Sequence, residues 1–130
     1  MVSKAREAGA EIETIPGASA LTAALAVAGL RAATFTFYGF LPLKKGRQTL
    51  FNEIAASERA SVFYESPHRI MKTLEALSEH LPSDRRVGVF RELTKLYEEH
   101  KVGSAAEVLE YFKSNSDKQR GEFVVIVEGR

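Results

Sequence analysis

The feature that most constrains the fold is the segment Ser61–Arg69, in which a strand pattern changes abruptly into a helix pattern. Its apolar start, Val62-Phe63-Tyr64, consists of the β-branched and aromatic residues that favour a half-buried strand. Further along, apolar residues recur at the spacing of one helix face: Ile70, Met71, Leu74 and Leu77. We therefore predict a strand that is followed at once by an amphipathic helix.

The junction between this strand and this helix is the best candidate for a functional site. Ser66 is predicted to cap the helix, and Pro67 to occupy its first position, where a missing N–H group costs nothing. Glu65, His68 and Arg69 are concentrated at the same junction. Backbone donors and the positive end of the helix dipole meet there, so the site could hold a polar ligand. A purely structural capping role for His68 and Arg69 remains an equal alternative.

Composition excludes several classes of function. The 130 residues suffice for one domain with a real core, and a net charge of +1 favours no particular partner. The absence of cysteine excludes disulfides and thiolate chemistry. No apolar run reaches the ~18–20 residues of a membrane span, and the first residues lack the apolar core of a signal peptide. A cytoplasmic location is the expectation, with no membrane partner and no metal site, since the three histidines show no ligand spacing.

The first 30 residues predict four pieces: a helix Val2–Ala8, a strand Glu11–Ile15, a turn at Pro16-Gly17 and a helix Ala20–Ala28. Ser19 is placed to cap the second helix. That helix is apolar on almost every side, so we expect it to be buried on more than one side. A short strand followed by such a helix is typical of the end of a larger α/β unit.

From Thr34 onward the pattern predicts about five strands and three helices. The first strand contains Phe35 and Phe37 and ends in an aromatic loop, Phe40–Leu43. The other strands are Ser61–Tyr64, Arg86–Glu92, Leu96–Val102 and a central strand within Gly121–Gly129; the helices are Gln48–Ser57, the junction helix and Ala105–Phe112. This alternation favours a layered α/β (α+β-like) domain, with a mixed sheet flanked by helices.

Few charged residues suggest chemistry outside the junction. Lys44, Lys45 and Arg47 form a basic turn beside aromatic residues, which would suit a phosphate backbone but is also typical of a solvated turn. Glu98 and Glu99 are interpreted as a solvated strand face. From the residues alone, the chain is an α/β domain with one polar site and no autonomous catalytic motif.

Five short motifs, taken in order and spacing, resemble one family. They are IPGASA (15–20), FYGFLP (37–42), FYESPHR (63–69), RELTK (91–95) and GEFV (121–124). Together they resemble the C-terminal portion of the ribosomal RNA small subunit methyltransferase I family, within the tetrapyrrole methylase superfamily. The resemblance covers nearly the whole chain.

The resemblance implies a methyltransferase that uses S-adenosylmethionine (SAM). It implies methyl transfer to the ribose 2′-hydroxyl of a cytidine in the decoding region of small-subunit (16S) ribosomal RNA, by a homodimer whose subunits hold the cofactor between two α/β domains. Residues 1–30 would be the end of the N-terminal domain and residues 31–130 the C-terminal domain. The family's glycine-rich N-terminal loop has no counterpart here, so we expect a fragment that is inactive alone.

Carried over residue by residue, the resemblance implies two sets of site residues. The cofactor set is Ser19, Ala20, Tyr64, Glu65, Phe90, Phe123 and Val124. The set of RNA candidates is Lys44, Lys45, Arg47, His68 and Arg69. No catalytic base is identified, and Arg91 with Glu92 is expected to be either part of the cleft or a structural ion pair.

Two other functions remain open at this point. One is methylation of a tetrapyrrole of the precorrin type, which keeps the fold and changes the substrate. The other is a non-catalytic binding or dimerisation module of the same fold.

Overall fold

The computed structural model describes residues 1–14 and 18–130. Within them the elements are α1 Val2–Glu7, α2 Ala20–Val27, β1 Phe35–Phe40, α3 Arg47–Ala56, β2 Ala60–Glu65, α4 Ile70–His80, β3 Arg86–Arg91, β4 Glu99–Ser104, α5 Ala105–Ser114, a 3-10 turn Ser116–Lys118 and β5 Phe123–Val127. The predicted turn at Pro16-Gly17 lies outside the described residues. None of the helices in the described ranges is long and apolar enough to cross a bilayer.

The strands form one mixed sheet in the order β1-β2-β5-β3-β4. β1 and β2 are parallel, whereas β5 runs antiparallel to both β2 and β3, and β3 to β4. β5 is buried along its whole length, as expected for a continuous apolar run in the middle of a sheet. The predicted five-stranded α/β architecture and its central last strand are confirmed.

The two faces of the sheet are covered unequally. Alternate residues of β2 show this, because Phe63 joins the core under α3, α4 and α5, whereas Val62 points to the side of α2. The first face is a full core with large buried side chains. On the second face α2 covers the middle of the sheet, and β1 leaves Phe37 41% and Phe40 63% exposed.

Helix α2 is less buried than its sequence predicts. Ala24 and Ala28 are buried in the cluster that also contains Val124 and Ile126. Val27, however, is 49% exposed. The expectation of burial on more than one side is therefore wrong for this chain, since α2 packs on the sheet alone among the described elements.

Two other elements differ from the prediction. Residues 11–14 form no strand, because a strand needs a hydrogen-bonding neighbour and none is adjacent in the described sheet. β4 begins at Glu99 rather than at Leu96, which is 88% exposed in a turn. Ser104 caps α5, since its hydroxyl accepts a hydrogen bond from the Glu107 N–H group.

Candidate functional site

A cavity of about 410 Å³ lies where the parallel strands β1 and β2 end and β5 begins, beside the start of α2. Its lining comprises Ala20, Phe40, Tyr64, Glu65, Ser66, Pro67, Leu93, Gly121, Glu122, Phe123 and Val124. Ligands of open α/β sheets bind outside the carboxyl ends of parallel strands, which is the place that this cavity occupies. Its volume falls within the range of ~300–1,000 Å³ that is usual for small-molecule sites.

The mouth of the cavity carries an aromatic cluster. Phe37 and Phe40 approach the Tyr64 ring edge-on, with ring centroids 5.1 and 5.5 Å away. Such T-shaped contacts are favourable beyond the area they bury. The wall that β1 and β2 build is therefore apolar and suited to a flat aromatic ring.

At the β2–α4 junction the helix starts later than predicted. α4 begins at Ile70 with Arg69 in the cap position, and residues 67–69 form a turn. The carbonyl of Ser66 accepts hydrogen bonds from the N–H groups of Arg69 and Ile70. The predictions of Ser66 as side-chain cap and Pro67 as first helical residue are wrong. The reason is that the N–H group of Arg69, which such a cap would bind, donates to the Ser66 carbonyl instead.

Glu65 is 3% exposed and its carboxylate is fully engaged. One oxygen accepts from the Ser66 N–H group at 2.8 Å and from Arg69 Nε at 3.2 Å. The other accepts from Thr73 Oγ1 at 2.6 Å. Although Glu65 lines the cavity, this carboxylate fixes the end of β2 to α4.

Arg47 extends the same network to the loop after β1. Its guanidinium donates to Thr73 Oγ1 at 2.7 Å and to the Pro42 carbonyl at 3.2 Å, and it lies 4.9 Å above the Phe51 ring. Of the predicted RNA candidates, Arg47 and Arg69 are thus held by contacts within the chain. Lys44, Lys45 and His68 are exposed.

The turn after β3 forms the opposite wall. Leu93 lines the cavity. Its neighbours in the chain, Glu92 and Thr94, have positive φ values of 52° and 63°. Glu92 bonds to the backbone of Glu122, and Arg91 instead donates to Glu99 at 3.2 Å. Of the two alternatives for these residues, the Arg91–Glu92 ion pair is therefore wrong.

The sequence predicts Glu99 to be a solvated strand residue, and this prediction is wrong. It accepts hydrogen bonds from Arg91 and from the Tyr111 hydroxyl, and Lys118 Nζ lies 3.3 Å away. The bond to Glu99 raises the pKa of Tyr111, since it holds the phenolic proton. This network ties β3, β4 and α5 together behind the cavity.

Of the predicted cofactor residues, those that line the cavity are Ala20, Tyr64, Glu65, Phe123 and Val124. Ser19 precedes α2, and its hydroxyl makes no capping bond. Phe90 is fully buried under α2 and is not part of the lining. Leu93 and Gly121 were missed, although both stand in motifs that pointed to this region.

Ser66 lines the cavity without offering its hydroxyl to it. The hydroxyl oxygen is buried and has no hydrogen-bond partner among residues 1–14 and 18–130. Because this oxygen is closed off from the cavity as well as from solvent, it supplies no contact for a bound ligand. In the same part of the chain, no cluster of acidic and histidine side chains is arranged to hold a metal ion.

Comparisons with known proteins agree with this architecture. Residues 1–109 match the family described as tetrapyrrole (corrin/porphyrin) methylases. The chain is 38% identical over 130 residues to ribosomal RNA small subunit methyltransferase I of Vibrio cholerae, an alignment that covers 99% of this chain and 45% of that relative. It is also 38% identical to the protein of the same name from Thermotoga maritima, covering 100% of this chain and 57% of that relative.

A solved structure, that of the methyltransferase CobJ, superposes with a TM-score of 0.66 at 23% identity, over 98% of this chain and 55% of that chain. At this identity the likeness shows the fold alone. The chain spans about half the length of the curated relatives it matches.

Proposed function

The chain belongs to the tetrapyrrole methylase family, and from this we propose that it forms the C-terminal wall of a SAM-dependent methyltransferase site acting on small-subunit ribosomal RNA. The curated relatives described above, which bear that activity in their names, support the choice of substrate. The finer part of the proposal is methylation of a cytidine ribose at its 2′-oxygen.

The observation that carries the proposal is the cavity at the strand ends. Its lining is mainly apolar, and the Tyr64 ring with its two phenylalanine neighbours suits the face of an adenine. Backbone groups of residues 121–124 supply polar contacts at the edge. Ala20, at the start of α2, leaves room for the cofactor in the cavity because its side chain is small.

When bound, SAM supplies an electrophilic methyl group on a sulfonium centre. Transfer to a ribose 2′-oxygen forms a carbon–oxygen bond, breaks a carbon–sulfur bond and leaves S-adenosylhomocysteine, while the hydroxyl proton must pass to a base. Among the lining residues, the carboxylates are those of Glu65 and Glu122. Glu65 already accepts three hydrogen bonds, and the largely exposed Glu122 carboxylate pairs with Lys95, so we expect the proton acceptor to come from outside this wall.

For RNA contacts we propose the exposed residues near the cavity mouth: Lys44, Lys45 and His68. Lys44 and Lys45 follow the loop that carries Phe40, which lines the cavity. Cations beside exposed aromatic rings suit a single-stranded RNA, in which phosphates and bases are both accessible.

The division into residues 1–30 and 31–130 stays a proposal, as does the homodimer. Exposed apolar side chains on α2 and β1, such as Val27 and Phe37, favour a second surface packed against this face. We propose that the chain acts together with a further α/β unit and is inactive alone. Because the proposed substrate is ribosomal RNA, we also propose that the protein acts in the cytoplasm.

A chimera tests the function directly. This chain replaces the aligned part of the Thermotoga maritima relative, and methyl transfer from radiolabelled SAM to unmethylated small subunits is measured. We expect label on a cytidine 2′-oxygen with the chimera and none with the 130-residue chain alone. A matched chimera carrying Tyr64→Ala should lose most of this activity, because the aromatic wall is removed.

A chimera that folds and binds S-adenosylhomocysteine but labels no RNA would contradict the RNA substrate. Label on a tetrapyrrole instead would favour the second methylase reaction. A chimera that neither binds the cofactor product nor transfers methyl groups would favour a non-catalytic module.

A further inference from the structure

We propose that Glu92 is a positioning residue that holds one wall of the cavity without entering it. Its carboxylate faces a separate polar depression lined in part by Tyr97 and Lys118, whereas the next residue, Leu93, lines the cavity. Glu92 therefore lies behind the wall that Leu93 and residues 121–123 build. The inference rests on the proposed function in taking that cavity as the cofactor site.

Glu92 joins the two segments of this wall. Its Oε1 accepts a hydrogen bond from the Glu122 N–H group at 2.8 Å, and its own N–H group donates to the Glu122 carbonyl at 2.9 Å. Lys95 Nζ lies 3.3 Å from the Glu92 carboxylate and 3.4 Å from that of Glu122. The turn after β3 and the start of β5 are thus joined by one backbone hydrogen bond and by the Glu92 side chain.

The backbone of the turn shows that this arrangement is maintained against strain. Glu92 and Thr94 both have positive φ, which residues with a Cβ rarely adopt. Such conformations persist only where the surroundings enforce them, and they cluster at ligand sites. Leu93, between the two, is 9% exposed and also packs against the cluster under α2.

Gly121 gives independent support. It has a φ of 91° and lines both the cavity and the polar depression. A Cβ at this position would overlap the Glu92 carboxylate. The wall is therefore thin, and the absence of a side chain at Gly121 lets Glu92 reach the Glu122 N–H group.

The decisive comparison is between Glu92→Ala and Glu92→Gln. Alanine removes the acceptor of the Glu122 N–H group, while glutamine keeps a neutral acceptor at the same reach. Binding of S-adenosylhomocysteine to the 130-residue chain is measured by calorimetry, and hydrogen exchange is followed at the Glu122 amide. Glu53→Ala, an exposed acidic residue on α3, is the matched control.

We expect Glu92→Ala to weaken binding about tenfold and to speed exchange at Glu122 about tenfold, the size of one lost hydrogen bond. Exchange at Val125, in the middle of β5, should stay unchanged, which separates a local effect from global destabilisation. Glu92→Gln should restore both quantities to within about threefold of wild type, because most of that bond is kept. Lys95→Met should also have little effect, since exposed ion pairs contribute little.

Unchanged exchange at Glu122 in Glu92→Ala would overturn the inference, as would unchanged affinity in that variant. Equal acceleration at Glu122 and Val125 would also overturn it, since that result means general destabilisation. If the wild-type chain binds no S-adenosylhomocysteine, the proposed cofactor site fails here, and exchange at Glu122 still decides whether Glu92 holds the wall.

Discussion

Two glutamates at neighbouring strand ends make similar contacts in different surroundings. Glu65 is the last residue of β2 and Glu92 follows β3, and each carboxylate accepts a backbone N–H group at 2.8 Å. Each also pairs with a basic side chain three or four residues later, Arg69 or Lys95. The two sites therefore differ mainly in burial.

Burial decides what each contact contributes. The Glu65 side chain is 1% exposed and its donor Thr73 is fully buried, so an unpaired group there would lie in the core. The Glu92 side chain is 18% exposed and Lys95 is half exposed, so water can replace part of the interaction. We infer that Glu65 stabilises the whole domain, whereas Glu92 orders one wall.

Glu65→Ala should give the largest effect. It leaves Thr73 Oγ1 and the Ser66 N–H group without their acceptor and removes the partner of Arg69. We expect a loss of about 2–4 kcal/mol in the free energy of unfolding, measured by urea denaturation. Glu75→Ala on the exposed side of α4 is the control and should change it by less than about 0.5 kcal/mol. A loss below about 1 kcal/mol for Glu65→Ala would remove the distinction between the two glutamates.

Thr73→Val should rank second. The change keeps the shape of the side chain but removes the hydroxyl that links Arg47 to Glu65, and a loss of about 1–3 kcal/mol is expected. A double-mutant cycle with Arg47→Met should give a coupling energy of about 0.5–3 kcal/mol. Lys45→Met is the control for the cycle. If Arg47→Met were as neutral as Lys45→Met, Arg47 would belong with the RNA candidates and not with the Glu65 network.

The pH dependence of stability should distinguish Glu92 from its neutral variant. The hydrogen bond from the Glu122 N–H group, aided by Lys95, holds the pKa of Glu92 below its usual value. The stability from this carboxylate is therefore present above its unfolded-state pKa and is lost as the pH falls through the lowered folded value. Unfolding curves of wild type and Glu92→Gln should converge in that acidic range. If the stabilities of the two proteins instead differed by the same amount at every pH, the negative charge of Glu92 would have no role in stability.

Lys44→Gln with Lys45→Gln should have the smallest effect on stability, within about 0.5 kcal/mol, because both side chains are exposed. Their effect should appear in RNA binding instead. With a single-stranded oligonucleotide from the decoding region, the slope of log affinity against log salt should fall by about 1.4 for two lost phosphate contacts. Lys72→Gln on α4 serves as a control, and an unchanged slope in the double variant would count against these RNA contacts.

The sequence predicts the fold well where periodicity is strong. The alternation around Phe63, the apolar run 123–127 and the helix after the junction all appear in the structure, in the expected order. The predicted start of α4 was wrong because the Ser66 carbonyl, and not its hydroxyl, accepts the N–H groups of Arg69 and Ile70, which makes residues 67–69 a turn. Turns of this kind are not signalled by hydrophobic periodicity.

The site was predicted only in part for a similar reason. Tyr64 and Phe123 were found because they end a strand and begin another within recognised motifs. Leu93 reaches the cavity only through a turn with two left-handed residues, which no hydrophobic pattern signals. Phe90 was expected in the cofactor set, but the register of β3 points it at α2.

The most direct test of the cofactor cavity is a nuclear magnetic resonance titration of the isotope-labelled chain with S-adenosylhomocysteine. This measurement detects weak binding, as expected from a single wall of a site. We predict amide shift changes confined to residues 64–66, Leu93 and residues 121–124, and much smaller changes in Glu92→Ala at the same subsaturating concentration, since its binding should be about tenfold weaker. No change at saturating ligand, or changes confined to the polar depression at Arg91 and Lys118, would contradict it.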